Sequence, residues 1–270
     1  MRVPLPTSLL EHVGRDVESA APARDAATVV LLRDGTDGVE AYLLRRQQSM
    51  RFAAGMYVFP GGAVDPRDSD ADLAWAGPAP AIWAERFGCS EELARALVCA
   101  AVRETFEEAG VLLAGPDAGS VVDDASAPDW QADRAALEAH DISLAEVLTR
   151  RSLVLRTDLL AAWTHWITPT FEPRRFDTRF FVAVLPEGQR VGTLPGEADH
   201  ASWMPLGAAL ASVDAGEMGM LPPTAVTCRD LAGLEHAAEA LTAAADRTIA
   251  PVVPRLVVID GNPYLETELP

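Results

Sequence analysis

Residues 102–111 read VRETFEEAGV. Glu104, Glu107 and Glu108 stand close together there, behind Arg103 and ahead of Gly110. At roughly 100° per residue the three carboxylates share one helical face, opposite the side that carries Val102 and Phe106. Like charges three and four apart on a helix repel, so something must offset the repulsion. A divalent cation would do so: Mg2+ prefers carboxylate oxygens and is usually held by a few of them together with substrate phosphates. The rival reading is a solvated acidic face, which is what most charge runs are. On these ten residues alone the rival wins, so the surroundings have to decide.

The stretch lies at the end of a helix. Ser90 is a good N-cap, EELARALVCAAVRETFEEA follows it, and Gly110 suits the C-terminal turn. Val98, Val102 and Phe106 recur every fourth position and supply an apolar face. Upstream, ATVVLLR (27–33) and VEAYLLRR (39–46) are split by DGTDG and read as a β-hairpin. GMYVFPGG (55–62) reads as a short strand that ends in proline and two glycines, and 66–89, rich in Pro, Asp and Ala, as an inserted excursion. Downstream, 115–128 is a loop and 129–150 is helical, with Ser143 and Glu146 in a capping-box pattern. FDTRFFVAVLP (176–186) is a strand, ASWMPL (201–206) a shorter strand leading into a helix at 206–215, 223–245 one long helix, and PRLVVIDG (254–261) a late strand. No internal repeat or low-complexity linker is present, so a single α/β domain over 1–270 is expected.

Composition narrows the functional classes. Of 270 residues 49% are hydrophobic, enough for a sizeable core, and the formal net charge is −18. Lysine is absent and arginine carries every positive side chain. So acidic a chain is not expected to bind nucleic acid, and an anionic substrate would need local arginines or metal ions to overcome the overall field. No apolar run is long enough to span a bilayer, and the first residues lack the pattern of a secretory signal. Cys89, Cys99 and Cys228 show no paired spacing, which suits a reduced, cytoplasmic protein. The five histidines have no zinc-type spacing, and no G-x-S-x-G motif points to covalent catalysis.

Taken together, FPGGAVD (59–65) and RETFEEAGV (103–111) resemble the two halves of the Nudix box, G-x5-E-x7-R-E-U-x-E-E-x-G-U, where U is a bulky apolar residue. The second half matches at Arg103, Glu104, Glu107, Glu108, Gly110 and Val111, with Thr105 the one departure. The resemblance implies an α/β/α Nudix sandwich with a mixed, curved sheet, enlarged by helical insertions. Its core would span about 26–215, with an insertion at about 66–89 and a C-terminal helix and extension at 216–270. It implies Mg2+ or Mn2+ held by Glu104, Glu107 and Glu108 with Gly62, and a backbone at Gly61 and Gly62 open to a diphosphate. Arg103 belongs to the same catalytic set. The box is interrupted: Arg103 follows Gly62 by 41 positions, 27 more than the consensus fourteen. The acid that supports Arg103 is therefore ambiguous. Counting forward from Gly62 reaches Asp68, counting back from Arg103 reaches Arg95, and Glu91 or Glu92 could also serve. An insertion between the halves resembles the subgroup that includes the peroxisomal coenzyme A diphosphatases.

RFAAGMYVFPGG (51–62) fits R-x3-G-x3-F-P-G-G, a pattern associated with coenzyme A-hydrolysing members, with Arg51, Gly55 and Phe59 in register. Only Leu43 and Leu44 match the earlier part of that pattern, and the terminal ELP is not a peroxisomal tripeptide. The expected activity is thus metal-dependent hydrolysis of a nucleotide diphosphate, coenzyme A or an acyl-CoA first. The alternatives are a diphosphatase for ADP-ribose, NADH or nucleotide sugars, and a catalytically weak nucleotide sensor. Diphosphate hydrolysis usually needs one more carboxylate to take a proton from water. Glu197, six residues before Trp203, is the candidate, with Glu187 and Glu104 as competitors. Arg174, Arg175 and Arg179 suit phosphate by their forked geometry, or else neutralise nearby acids. Trp163, Trp166 and Phe171 either stack on a base or fill the core. Many relatives dimerise, and Trp75 and Trp83 in the insertion offer an apolar surface to a second copy.

Overall fold

The computed structural model describes residues 2–5, 10, 21–49, 53–70, 72–193, 196 and 198–269. After β1 (Arg2–Pro4) come the long hairpin strands β2 (Arg24–Gly35) and β3 (Gly38–Arg46), and then the short β4 (Tyr57–Val58) and β5 (Gly61–Ala63). The insertion folds as a 3-10 turn at Pro66–Ser69, β6 (Trp75–Ala76) and α1 (Pro80–Phe87). The acidic helix α2 (Glu91–Ala109) follows, then β7 (Ala114–Gly115), α3 (Pro128–Glu138), α4 (Leu144–Arg150) and β8 (Val154–Arg156). The chain returns to the main sheet in β9 (Leu160–Ile167), β10 (Phe176–Val184) and β11 (Ala198–Pro205), and leaves it through α5 (Leu206–Asp214), α6 (Pro222–Leu231) and α7 (Glu239–Ala245). It ends in β12 (Pro251–Val252), β13 (Arg255–Ile259) and β14 (Asn262–Glu266).

The main sheet has the order β11-β3-β2-β10-β9-β12, with β4 added beside β3 and β5 beside β2. It is mixed: β10 runs parallel to β2 and β12 to β9, while β2–β3, β3–β11 and β9–β10 are antiparallel. Strand β2 shows why the sequence makes a central strand here. Ala27, Val29 and Leu31 face the layer of α1 and α2, while Val30 and Leu32 face α5, α6 and α7. A strand buried on both faces needs an unbroken apolar run rather than alternation. The result is the expected three-layer sandwich. Two small sheets, β1-β14-β13 and β6-β8-β7, flank it.

Helix α2 has the expected caps. The Ser90 hydroxyl accepts from the Leu93 N–H at 3.2 Å, and Gly110 closes the helix at φ 70° with its N–H on Phe106 O. The helix is buried on both sides, however. Val98, Val102 and Phe106 pack into the core, and Glu104 and Glu107 are themselves only 9% and 7% exposed. A solvated acidic face is therefore ruled out.

Three expectations need correction. The helix read over 223–245 is two helices, α6 and α7, broken around Gly233. The break lets the Ala237 N–H donate to the Asp34 carboxylate at 2.7 Å and turns Ala237 and Ala240 into the core. The helical stretch 129–150 is likewise two, α3 and α4, parted where His140 takes a left-handed φ of 57°. The insertion's tryptophans serve their own chain. Trp83 is buried against Phe87 and Phe181, and Trp75 donates to Pro78 O at 2.7 Å beneath the Arg95 guanidinium. No helix among the described residues is long and apolar enough to cross a membrane.

Candidate active site

The site forms where α2 meets β5. Strand β5 pairs with β2, Gly61 opposite Thr28 and Gly62 opposite Ala27. Gly61 is required by space, and a side chain at Gly62 would have to displace Glu104. A Cβ on Gly61 would fall 2.5 Å from Ala27 O, and one on Gly62 would fall 2.3 Å from Glu104 Oε1. The Glu104 carboxylate thus lies directly on the glycine backbone. The Gly61 N–H donates to Glu108 Oε2 at 2.7 Å, a second tie between the two halves of the box.

Arg103 anchors this arrangement from below. Its Nε and Nη2 each donate to Asp68 at 3.0 Å, a two-pronged pair, and Nη2 also reaches Ala63 O at 3.0 Å. Nη1 donates to Glu104 Oε1 at 2.8 Å and to Glu107 Oε1 at 3.2 Å. Asp68 is therefore the acid that supports Arg103. Glu91 and Glu92 sit exposed in the first turn of α2. Asp68, 4% exposed, is itself fixed by the turn at Pro66–Ser69, where it accepts from the Asp65 N–H at 2.8 Å in a capping box. The extra residues of the interrupted box thus enter after its supporting acid. On the far side, Arg134 of α3 donates to Glu107 O at 2.7 Å and clamps the end of α2.

One buried guanidinium cannot neutralise three buried carboxylates. Burial pushes the Glu104 carboxyl up to about 7, with Glu107 and Asp68 adding to the rise and Arg103 opposing it. Burial also raises Glu107, again against Arg103. Arg103 loses by burial but gains more from Asp68 and Glu104, so its own pKa rises. Hard oxygen donors in negative excess, packed on a backbone that only glycine leaves open, fit a divalent cation. The glutamate oxygens are held by Arg103 and the Gly61 N–H rather than converged on one point. Among the described residues no three Asp, Glu, His or Cys side chains form a ready metal cluster.

The carboxylates open onto a cavity of about 650 Å3. Ala26, Thr28, Thr178 and Phe180 form its floor on the main sheet, the start of α6 at Leu221–Thr224 covers it, and Pro254 and Leu265 close one side. Glu104, Glu107, Glu108, Gly61, Gly62 and Arg174 all line it. Arg175 and Arg179 do not. The Arg175 guanidinium donates to Thr168 O at 3.1 Å and Ala21 O at 2.8 Å, while Arg179 is buried in ion pairs with Asp25 at 2.9 Å and Asp177 at 2.6 Å. The reason is strand alternation: on β10, Thr178 and Phe180 face the cavity, which sends Arg179 to the other face. Arg51 and Glu197 lie outside the described residues.

Of the aromatic candidates, Trp166 lines the cavity, Trp163 fills the core beside α7, and Phe171 packs with Leu5 and Leu265. Sequence reading missed Arg24, Arg46, Glu138 and Glu172, all cavity residues, and set His140 aside as surface or structural. His140 reaches the rim near Asp65, at 3.5 Å, only because the α3–α4 break turns it there. For Arg24 a signal existed, an arginine opening the first core strand, but its meaning depends on which strand lies beside it.

The fold and site define a Nudix protein, and the chain belongs to the Nudix hydrolase superfamily. The family model described as the NUDT19 Nudix domain matches residues 88–231, which takes in the second half of the box. Among curated relatives, the human protein named acyl-coenzyme A diphosphatase NUDT19 is 28% identical over 233 residues, covering 73% of this chain and 61% of that protein. A Caenorhabditis elegans protein named putative nudix hydrolase 7 is 26% identical over 205 residues, covering 74% and 57%. The chain spans about three fifths of the length of these relatives. A crystal structure of a NUDIX hydrolase from Alicyclobacillus acidocaldarius superposes with a TM-score of 0.70 at 33% identity, covering 82% of this chain and 96% of that one.

Proposed function

We propose that the chain is a Mg2+- or Mn2+-dependent diphosphatase that cleaves the diphosphate of coenzyme A or an acyl-CoA. The observation that carries this reading is the contact of Glu104 with Gly62, which joins the halves of the interrupted box at the mouth of the cavity. Glu104, Glu107 and Glu108, with the Gly62 backbone, would hold the metal, whose chemistry there is to neutralise phosphate charge and activate water. Arg103 and Asp68 keep α2 and β5 in register so that these oxygens face the substrate. The missing side chains at Gly61 and Gly62 leave room for β2 and for the Glu104 carboxylate, which keeps the glutamates at the strand where the diphosphate would lie. The attacking water gives its proton to Glu104 or Glu197, its oxygen bonds to one phosphorus, and the bridging P–O bond breaks. For coenzyme A the products are an adenosine bisphosphate and phosphopantetheine.

The substrate assignment draws on the names of the relatives and on the match of Gly55 and Phe59 to the coenzyme A pattern. Turnover of coenzyme A, an acyl-CoA, ADP-ribose and NADH with Mg2+, followed by product chromatography, tests it. Coenzyme A or its thioester should lead the panel. Faster cleavage of ADP-ribose would overturn the substrate, and no cleavage of any diphosphate would overturn the reaction.

A further inference from the structure

Arginines in this acidic protein are mostly spoken for. Arg33, Arg45, Arg67, Arg156 and Arg247, for example, all sit on carboxylates within 2.9 Å. Arg24 and Arg174 differ. Among the described residues neither guanidinium has a hydrogen-bond or ion-pair partner, both are exposed, and both line the cavity. With 40 acidic residues for 22 arginines, two unpaired guanidiniums at one cavity rim need an explanation.

The backbone brings the two together. Arg24 stands opposite Phe176 in the parallel β2–β10 pair, and its N–H donates to Arg175 O at 2.9 Å, so Arg174 enters just beside it. Two guanidiniums brought to one cavity from adjoining backbone gain from an anion that accepts from both. Next to them the floor is Phe176, Thr178 and the indole of Trp166, which is 3% exposed and whose Nε1–H has no partner. Glu172, also buried, lines the same cavity and already interacts within the protein.

The spacing fits an anion that belongs to the same ligand as the diphosphate. Along β2, Arg24 lies four residues before Thr28, the partner of Gly61, which at ~3.3 Å per residue is roughly 13 Å. A nucleoside together with an arginine side chain can bridge that gap. The cavity thus carries Glu104, Glu107 and Glu108 where a metal-compensated diphosphate would lie, and Arg24 and Arg174, with Glu172, one nucleoside away.

We propose that Arg24 and Arg174 form a phosphomonoester subsite, with Trp166 and Phe176 as its aromatic floor, that selects nucleotides bearing a ribose phosphate in addition to the diphosphate. This rests on the diphosphatase reading and makes the 3′-phosphate of coenzyme A the group recognised. The test compares kcat/KM for coenzyme A and dephospho-coenzyme A, which lacks that phosphate, in wild type, Arg24→Gln, Arg174→Gln and the double variant. Wild type should prefer coenzyme A by about tenfold or more, as expected for charge-assisted hydrogen bonds. Each single variant should lower that ratio, chiefly through KM, and the double variant should bring it close to one. A wild-type ratio near one, or a ratio unchanged in the double variant, overturns the subsite. Binding of 3′,5′-adenosine bisphosphate against AMP, by calorimetry, separates this outcome from failure of the proposed reaction. Tighter binding of the bisphosphate that disappears in the double variant supports the subsite even where coenzyme A is not cleaved, and equal affinities sink it.

Discussion

Arg103 holds Asp68 through two hydrogen bonds of 3.0 Å across 35 positions of sequence. The pair is buried, and the same guanidinium carries Glu104 and Glu107. Without Asp68 the guanidinium keeps Glu104 and Glu107 as counter-charges, but its buried Nε–H loses its acceptor, at a cost of roughly 1–3 kcal/mol. Asp68→Ala should therefore destabilise the fold by about that much, measured by urea unfolding. Glu91→Ala and Glu92→Ala, on exposed residues, should stay within about 0.5 kcal/mol of wild type. Equal stability of Asp68→Ala and wild type would mean that Arg103 finds its support elsewhere.

Glu107→Gln and Glu108→Gln keep the volume of the side chain and delete its charge. Each should lower turnover by about 100-fold or more with the fold intact, because the lost group acts on developing charge rather than on packing. Added Mg2+ should raise the melting temperature of wild type and leave the two variants nearly unmoved, as binding to the folded state alone requires. Full activity in either variant would count against the whole site.

The halves of the box were legible through their resemblance to the Nudix motif, since helical spacing alone favours a solvated acidic face. The ambiguity over Asp68 could not be resolved that way: the insertion makes the count from Gly62 and the count from Arg103 disagree, and only the fold brings one acid to the guanidinium. Which of its two possible roles Arg179 plays, phosphate binding or neutralising nearby acids, was out of reach for a related reason, and the fold gives it the second, with Asp25 and Asp177. Its alternation with Thr178 is visible in the sequence, but which face of β10 looks into the cavity depends on the parallel pairing with β2. The α6–α7 break was hidden too, since a lone Gly233 among alanines is a weak signal. The hydrogen bond that fixes the turn comes from Asp34, 203 positions away.

Gly62 offers a test by volume alone. A Cβ there would meet the Glu104 carboxylate at 2.3 Å, so Gly62→Ala must displace Glu104 from β5. Turnover should fall sharply, and a crystal structure should find the Glu104 carboxylate moved off the strand. Gly207→Ala is the control. It sits in α5 with nothing within 4 Å of the added methyl, and replacing a helical glycine should stabilise the protein by about 0.5–1 kcal/mol without touching activity. If Gly62→Ala proved as harmless as the control, close approach of α2 to β5 would not be needed for the reaction.

The crowded carboxylates also set how the metal-free protein responds to pH. Glu104 titrates at about 7 when folded, raised by burial from an ordinary value of 4.5. Between those two values the folded chain keeps a proton that the unfolded chain has released. Stability is therefore greatest below about pH 4.5 on account of this group, declines as pH rises through the window, and levels off above about 7. Glu107, raised by burial as well, works in the same direction. Asp65 does not confuse the reading, because its hydrogen bonds from Arg67 hold it far below the window. Melting temperatures in EDTA from pH 4.5 to 8 should fall accordingly in wild type and much less in Glu104→Gln. A slope that survives unchanged in Glu104→Gln would show that Glu104 is not the group that carries it, leaving Glu107 as its source.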